Sequence, residues 1–243
     1  MRVASRYPRL HVPHLHRAVI RFDQVSKHYP SGQEALSQVS FEVAPGEMVF
    51  VTGHSGAGKS TLLKLLAAIE KPSRGRVSLD GQNLARVGPH AVPLLRRKLG
   101  MVFQDHRLLM DRSVFANVEL PLVIAGMAAD ERARRVRAAL EKVGLLATEG
   151  KSPEALSTGE QQRVGIARAI VGKPTVLLAD EPTGNLDPHL ATEVMGLFAA
   201  FQQVGTTILV ASHDLALIKR MKKRVVVLDH GRMVDDVPAV EVA

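Results

Sequence analysis

The sequence predicts an α/β fold with a mostly parallel, doubly wound sheet, and three observations lead to that prediction. Strand-like and helix-like segments alternate along the chain, as in Val176–Ala179, Pro188–Gln203 and Thr206–Ala211. The strand segments are mostly continuous apolar runs, which indicates burial on both faces. A glycine-rich loop joins one such run, Met48–Thr52, to a helical leucine pattern over Thr61–Ile69. This order favours one sheet with helices on both of its faces.

The predicted elements near the start of the chain are strands. Val19–Val25 alternates in the manner of a strand, and Phe41–Val43 is a second candidate. Pro45 and Gly46 mark the turn that precedes Met48–Thr52. These segments predict a β-region ahead of the first helix.

The middle of the chain has the composition of an inserted helical subdomain. A short strand is predicted at 98–103, and the residues that follow are rich in helix formers. Val136, Leu140 and Val143 are spaced i, i+4 and i+7, while arginines and glutamates cover the other face of the same helix. We therefore expect a helical subdomain over about 105–165, inserted into the sheet.

Composition limits the classes of protein to which the chain can belong. Its 243 residues suit one large α/β domain or a core with a modest insertion, and 46% hydrophobic residues can fill a sizeable core. No apolar run approaches the ~18 residues that a membrane span requires, so we expect no crossing of a membrane. The absence of cysteine excludes disulfides and thiolate metal sites and fits a reducing, cytoplasmic setting.

The formal net charge of +8 is concentrated in two clusters. Residues 1–18 are rich in arginine, histidine and proline, and we interpret them as a flexible basic extension or as an artefact of the assigned start, with the natural chain beginning near Val19. A second cluster lies at 219–224. Both can be solvated surfaces or can meet anionic lipid or nucleic acid. With two tyrosines and no tryptophan there is little for base stacking, so no nucleic-acid partner is expected.

The glycine-rich loop matches the P-loop pattern for binding nucleotide phosphates. The P-loop comprises Gly53, His54, Ser55, Gly56, Ala57, Gly58, Lys59 and Ser60, with Thr61 directly after it. Glycines let successive backbone N–H groups face one concavity, and the following helix adds its N-terminal dipole. Lys59 supplies charge for the β- and γ-phosphates, and the Ser60 hydroxyl can ligate Mg²⁺. The pattern predicts ATP and Mg²⁺ as ligands.

A second acidic site is predicted at the end of Val176–Ala179. Asp180 and Glu181 follow this apolar strand, and open α/β sheets bind ligands at the carboxyl ends of their strands. Asp180 is suited to hold Mg²⁺ through water. Glu181 is suited to orient the attacking water, because phosphoryl transfer depends on positioning and charge compensation.

The residues from Leu156 to Arg163, Leu-Ser-Thr-Gly-Glu-Gln-Gln-Arg, resemble the signature motif of ABC ATPases at the start of a helix. In that family the motif caps the γ-phosphate bound by the opposite subunit, so two chains enclose two ATP molecules. The resemblance assigns this role to Ser157, Thr158, Gly159 and Glu160. The same residues predict an ordinary capping box with Ser157 as N-cap, and the two interpretations are compatible.

Four further residues match the family set in order. The resemblance implies that Tyr29 stacks on adenine, that Gln104 contacts Mg²⁺ and water, that Asp187 belongs to the D-loop at the dimer interface, and that His213 reaches the γ-phosphate. It makes Glu181, His213 and Lys59 the catalytic residues, and Ser60, Gln104 and Asp180 the metal residues. It covers about residues 19–235, and implies an ABC ATPase domain over 19–243 with an N-terminal antiparallel β-region.

Thr158 departs from the family pattern, which usually has glycine at this position. A β-branched residue restricts the backbone and adds bulk where backbone should approach phosphate. We therefore expect looser capping across the dimer and a low basal rate of ATP hydrolysis.

The amino-acid sequence from Phe103 to Arg112, which contains Gln104 and is called the Q-loop region, is similar to that of the cell-division ATPases within the family. This resemblance implies a homodimer bound peripherally to the cytoplasmic face of the bacterial inner membrane. Its partner would be an integral membrane protein of the FtsX type, and ATP turnover would regulate septal cell-wall hydrolysis. A helix of that partner would lie in a groove over about 104–122. Six apolar side chains could contact that helix, although some of them must belong to the core instead: Phe103, Leu108, Leu109, Met110, Phe115 and Leu120.

Three alternatives stay open on the sequence. The first is the ATPase of a lipoprotein-releasing or efflux transporter, which shares every catalytic motif. The second is a soluble ABC protein of DNA repair or translation, against which stand the single cassette and the lack of long heptads and cysteines. The third is a chain that binds nucleotide without hydrolysing it, which intact Lys59, Asp180, Glu181 and His213 disfavour.

Overall fold

The computed structural model describes residues 19–239. The basic extension expected over residues 1–18 lies outside the described residues. The described chain forms two β-sheets and seven α-helices. This is the α/β architecture that the sequence predicts.

The first sheet is antiparallel and has the order β2-β1-β4-β5. Its strands are β1 (Ile20–His28), β2 (Glu34–Val43), β4 (Arg74–Leu79) and β5 (Gln82–Asn83). Strand β2 begins well before the predicted Phe41–Val43. The alternation of its side chains is interrupted at Gln38, whose φ is 52°, and the pairing of β1 with β2 shifts register nearby.

The second sheet carries the parallel strands and has the order β10-β9-β3-β8-β7-β6. Its strands are β3 (Met48–Thr52), β6 (Leu99–Val102), β7 (Val176–Asp180), β8 (Thr207–Ala211), β9 (Arg224–Asp229) and β10 (Arg232–Val237). Strands β9, β3, β8, β7 and β6 are parallel, and β10 pairs antiparallel with β9. The carboxyl ends of five strands therefore meet along one edge.

Helices connect and cover these strands. They are α1 (Lys59–Leu66), α2 (Val92–Arg96), α3 (Val114–Ile124), α4 (Ala129–Lys142), α5 (Thr158–Ile170), α6 (Pro188–Gln203) and α7 (Leu215–Met221). Short 3₁₀ turns occur at Leu84–Arg86, Leu146–Thr148 and Pro153–Ala155. Among residues 19–239, the helices are all too short or too polar to cross a membrane.

Alternate side chains of β3 enter two separate hydrophobic cores. Met48 and Phe50 pack with α3 to α7, whereas Val49 and Val51 pack with α1 and the antiparallel sheet. Because side chains alternate across a strand, one buried strand supplies both cores. This explains why the strand is apolar at every buried position instead of alternating.

The predicted helix face in the middle of the chain is buried as a unit. Val136, Leu140 and Val143 are each at most 3% exposed and lie in the core that contains α3 and α5. The prediction of Thr61–Ile69 as helix was wrong at its end, because α1 stops at Leu66. Ala68 has φ 50°, a left-handed conformation that breaks the helix, and Ile69 is 50% exposed.

Candidate active site

The segments that follow β3, β6, β7 and β8 meet at the carboxyl edge of the parallel sheet. Together with the connection between β1 and β2, they line a cavity of about 610 Å³. It is lined by Tyr29, Gln33, Ala35, His54, Ser55, Gly56, Ala57, Gly58, Lys59, Ser60, Thr61, Lys64, Gln104, Glu181 and His213. The sequence had singled out twelve of these fifteen residues, so the fold brings most of the predicted nucleotide residues together.

The P-loop needs glycine at both of its ends. A Cβ on Gly53 would overlap the carbonyl oxygen of Leu228. Gly58 has φ 106°, and a Cβ there would lie 2.6 Å from the carbonyl oxygen of Ala35. Since Gly58 is also the N-cap of α1 and offers no side-chain cap, the first N–H groups of that helix face the cavity without a competing side-chain oxygen from the cap.

Lys59 is buried and held across the loop. Its Nζ donates to the carbonyl oxygens of Gly53, at 2.7 Å, and His54, at 3.2 Å. It also lies 3.7 Å from Oε1 of Glu181. The ammonium is thereby fixed between the P-loop and the end of β7, where it can meet phosphate oxygens without first being ordered.

Asp180 ends β7 opposite the P-loop. The Ser60 hydroxyl donates to its Oδ1 at 3.0 Å. Burial raises the pKa of Asp180, as does the neighbouring charge of Glu181, while the hydrogen bond from Ser60 opposes the rise. A carboxyl group whose charged form is disfavoured by burial is suited to a site that gains a cation on ligand binding.

Glu181 links the two sides of the cavity. Its Oε2 lies 2.9 Å from Nδ1 of His213 and accepts from the backbone N–H of His213 at 3.3 Å. Its other oxygen faces Lys59. The residue has φ 47°, a left-handed conformation that is uncommon for glutamate and is found where surrounding structure imposes it. The carboxylate is thus held between an ammonium and an imidazole.

Gln104 and Tyr29 complete the predicted lining. Gln104 follows β6 and also lines a smaller cavity of about 290 Å³ together with Asp180, which brings the three predicted metal residues into one region. The Tyr29 hydroxyl lies 3.4 Å from Oγ1 of Thr61, and Nζ of Lys27 lies 4.9 Å from the ring centroid. The ring therefore borders the P-loop at the mouth of the cavity.

The signature motif lies apart from this cavity. Ser157 is the N-cap of α5, accepting from the N–H of Glu160, and Glu160 accepts from the N–H and hydroxyl of Ser157. The predicted capping box is present. The backbone hydrogen bond from Ser157 is the main cause of a lowered pKa for Glu160. Thr158 is exposed at the first helical position, whereas Gly159 is buried. A Cβ on Gly159 would lie only 2.8 Å from Cδ1 of Leu190.

Asp187 also lies outside the cavity and acts as a helix cap. Its carboxylate accepts from the N–H groups of His189, at 2.9 Å, and Leu190, at 3.1 Å, and so begins α6. The signature motif and Asp187 therefore belong to a second surface of this chain, which meets the helix α6 through the Gly159–Leu190 contact.

Sequence reasoning missed three lining residues: Gln33, Ala35 and Lys64. Gln33 directly precedes β2 and Ala35 lies at its start, and the predicted beginning of this strand was too late. Lys64 lies one helical turn after Ser60 and lowers the pKa of Asp180 against the larger effect of burial. The i, i+4 spacing of Ser60 and Lys64 on a helix was the available signal.

Comparison with known proteins identifies the class. The ABC transporter domain family matches residues 36–184, and the chain belongs to that family of ATPases. The cassette MJ0796, in a dimeric post-hydrolysis state bound to ADP and Pi, is 32% identical with a TM-score of 0.84, covering 90% of this chain and 98% of that one. CbiO1 from Clostridium perfringens, part of the ABC transporter complex cbiONQ, is also 32% identical, with a TM-score of 0.85 over 93% of this chain and 90% of that one.

Within the family, the chain belongs with the cell division ATP-binding proteins named FtsE. The FtsE of Escherichia coli K12 is 56% identical over 215 residues, covering 88% of this chain and 97% of the relative. The FtsE of Bacillus subtilis is 43% identical over 218 residues, covering 90% of this chain and 96% of the relative. The chain is accordingly an ATP-binding and ATP-hydrolysing protein of this group.

Proposed function

We propose that the chain is the ATPase subunit of a cell-division ABC complex, working as a nucleotide-sandwich homodimer at the cytoplasmic face of the inner membrane. Its turnover drives an integral membrane partner of the FtsX type that regulates septal cell-wall hydrolysis. The observation that carries the proposal is the contact chain Lys59–Glu181–His213 inside a P-loop cavity. Similarity to the FtsE proteins supports the choice of subfamily.

The residues around the P-loop fit ATP with Mg²⁺. Backbone N–H groups and the α1 N-terminus receive the phosphates, and Lys59 compensates their charge. Ser60, Asp180 and Gln104 offer the oxygen ligands that Mg²⁺ prefers, directly or through water. When bound, Mg²⁺ neutralises charge on the β- and γ-phosphates.

Glu181 and His213 position the attacking water. Oε2 of Glu181 faces the imidazole and Oε1 faces Lys59, so the carboxylate is oriented before substrate arrives. A water that donates to this carboxylate is aligned for in-line attack on the γ-phosphorus, and His213 contacts the γ-phosphate as charge shifts to its oxygens. Fixed geometry of this kind supplies most of the catalysis in phosphoryl transfer.

The exposed signature motif supports the dimer. Ser157 and Thr158 are exposed at a helix N-terminus, and neither lines the cavity of its own chain. A second copy can present this end to the γ-phosphate, which completes each site with residues of both chains. The dimeric state of MJ0796 is consistent with this arrangement.

Of the six apolar side chains offered to the membrane partner, some were expected to be core, and Leu108 lies in that core while the partly buried Phe115 packs against it. Leu108 is 8% exposed and packs in the core, so it is unavailable to a partner helix. Met110 is 45% exposed, and Val123 and Ile124 are exposed apolar side chains on the surface of α3. We place the partner helix on this surface, between the Q-loop region and α3.

The proposal is tested by co-purification from solubilised bacterial membranes, with the Glu181→Gln chain as bait in ATP and Mg²⁺. The matched control bait is Lys59→Ala, which removes the phosphate contact and should not form the closed dimer. Recovery of a small four-helix membrane protein with a large extracytoplasmic loop, together with division proteins, is the expected result. Recovery of a lipoprotein-handling or efflux permease would overturn the cell-division assignment and leave the ATPase assignment standing.

A further inference from the structure

A second group of ligand-type side chains joins one P-loop residue to the β9–β10 turn, and none of its members belongs to the predicted Mg²⁺ residues Ser60, Gln104 and Asp180. It consists of His54, Asp229 and His230, and we call it the His-Asp-His cluster. Asp229 ends β9, and His230 and Gly231 form the two-residue turn to β10 with φ values of 43° and 76°. Two successive positive φ values are typical of a type I′ hairpin turn.

The turn is fixed against the P-loop by backbone contacts. The N–H of Gly231 donates to the carbonyl oxygen of Ala57 at 3.1 Å. His54 therefore faces the turn across a short, defined gap. Its ring centroid lies 4.6 Å from that of His230.

The three side chains converge on one point. Asp229 Oδ1 lies 3.1 Å from Nε2 of His54 and 2.9 Å from Nδ1 of His230. All three ligand atoms lie within 4.8 Å of one another. Two ligands of a tetrahedral zinc ion, each at about 2.0–2.1 Å from the metal, are about 3.3 Å apart. The two separations that involve Asp229 are thus close to those between neighbouring ligands of a metal ion.

The proton positions leave a place for a cation. Nδ1 of His54 lies 2.6 Å from the carbonyl oxygen of Ser55, and because a carbonyl only accepts, Nδ1 carries the hydrogen. With the hydrogen on Nδ1, Nε2 has a single in-plane lone pair, which the His230 N–H approaches only at 3.5 Å, the limit of a hydrogen bond, so this lone pair is open to a cation. That lone pair faces the Asp229 carboxylate, a second acceptor. Two acceptors at 3.1 Å repel each other unless a proton or a cation lies between them.

We propose that His54, Asp229 and His230 bind a divalent transition metal ion of the Zn²⁺ class. Two imidazoles and one carboxylate are the ligands such ions prefer, whereas Mg²⁺ and Ca²⁺ favour oxygen. The bond from His54 Nδ1 to the Ser55 carbonyl is the outer-sphere contact that orients a metal-binding histidine. All three side chains are partly exposed, between 46% and 82%, so water can fill the fourth position.

Such an ion would join the P-loop to the β9–β10 turn. His54 belongs to the P-loop, while Asp229 and His230 belong to the β9–β10 hairpin, whose strand β9 pairs directly with β3. The site does not include Ser60, Asp180 or Gln104, but it involves the same P-loop through His54. Metal occupancy therefore restricts the movement of the P-loop relative to the sheet.

The test measures zinc binding to the full chain by competition with a chromophoric chelator, in excess Mg²⁺ and without a histidine tag. His11, His14 and His16 are first changed to glutamine, because their close spacing in the sequence could bind zinc independently. In this background, His230→Asn removes one ligand and leaves Asn-Gly, a favourable type I′ pair, so the turn is preserved. The matched control is His28→Ala, which breaks another exposed histidine–carboxylate contact, the one with Glu34 at 3.4 Å.

We expect one zinc per chain in the background variant, affinity lowered at least ~10-fold by His230→Asn, and no change with His28→Ala. Substitution of Co²⁺ should give the visible absorption of a four-coordinate ion, and His230→Asn should abolish it. Equal zinc affinity in the background and His230→Asn chains, or the absence of stoichiometric binding, would overturn the proposal. Neither result bears on the ATPase assignment.

Discussion

The P-loop and the signature motif are both helix N-termini, and they are built in opposite ways. At α1 the N-cap is Gly58 in a left-handed conformation, without a side-chain cap or an acidic residue in the first turn. At α5 the N-cap is Ser157, closed by a capping box with Glu160. The first end leaves its N–H groups and dipole for an anion, whereas the second satisfies the N–H groups of Ser157 and Glu160 and places a carboxylate beside them.

The two regions also differ in whether their structure depends on distant or on local contacts. The P-loop region depends on distant segments, since Lys59, Glu181 and His213 are brought together only by the sheet. The start of the signature helix is instead capped locally, by Ser157 and Glu160. Changes in the first region should therefore affect chemistry strongly, and changes in the second should have smaller effects.

The largest effect is expected from Glu181→Gln. Glutamine keeps the size of the side chain and can still accept from the N–H of His213, but it loses the charge that aligns water. Turnover should fall by at least about 100-fold while ATP binding is retained, in line with the usual contribution of a positioned base. Steady-state hydrolysis and equilibrium nucleotide binding measure the two quantities.

Glu193→Gln, on the exposed part of α6, is the matched control for this change and should hydrolyse ATP at the native rate. Native turnover in Glu181→Gln itself would show that the role assigned to this carboxylate is wrong.

Asp180→Asn should separate activity from stability. Burial raises the folded pKa of Asp180, so the free chain loses stability as pH rises from the ordinary pKa of aspartate through the raised value. Asparagine removes that cost and can still accept from Ser60. Without divalent cation, we expect Tm at neutral pH to exceed that of the native chain and the difference to vanish at acid pH. Mg²⁺-dependent turnover should fall by at least about 100-fold.

A neutral-pH Tm of Asp180→Asn below that of the native chain would contradict the assignment of burial as the dominant cause of the raised pKa. The comparison is made by thermal unfolding of both chains in the same chelated buffer.

The elements that the sequence predicted best are those with strong local signals. Helix α6 occupies the predicted Pro188–Gln203, because Asp187 caps it and proline suits the first helical position. The end of α1 was missed because Ala68 adopts a left-handed conformation, which the sequence does not indicate since alanine is a strong helix former. The start of β2 was missed because the irregularity at Gln38 interrupts its alternation.

The same distinction applies to the candidate site. Gly53 to Ser60 and Asp180-Glu181 are contiguous motifs, so their presence could be read directly. The hydrogen bond between Ser60 and Asp180 spans 120 residues of chain and depends on the order of the strands. The contact between Glu181 and His213 likewise requires β7 to lie beside β8, which no local pattern specifies.

A moderate effect is expected from Thr158→Gly in the signature motif. Thr158 is exposed, so its methyl and hydroxyl groups project from the N-terminus that would meet the partner's phosphate. Glycine removes this bulk, and turnover should rise by up to roughly 10-fold, as small improvements in positioning allow. The rise is measured as ATP hydrolysis at several protein concentrations, since the gain depends on dimer formation.

Thr158→Ala is the informative companion, because it removes the β-branch without adding the backbone freedom of glycine. A rise in both variants identifies bulk as the obstacle, and a rise with glycine alone identifies backbone restriction. If neither variant changes the rate or the dimerisation, the expected penalty of Thr158 is absent.

The smallest effect is expected from Glu160→Gln, which tests whether the α5 end is self-sufficient. Glutamine can also complete a capping box, so only the charge near the helix dipole is lost, about 0.3–1 kcal/mol of unfolding free energy. Because the folded pKa of Glu160 is lowered, its contribution is complete above the ordinary pKa of glutamate and disappears as pH falls through the lowered value. Urea unfolding of both chains at neutral and acid pH should therefore give a difference only at neutral pH. A difference of equal size at both pH values would mean that the carboxylate acts through packing, and the contrast between the open α1 end and the self-capped α5 end would lose its electrostatic basis.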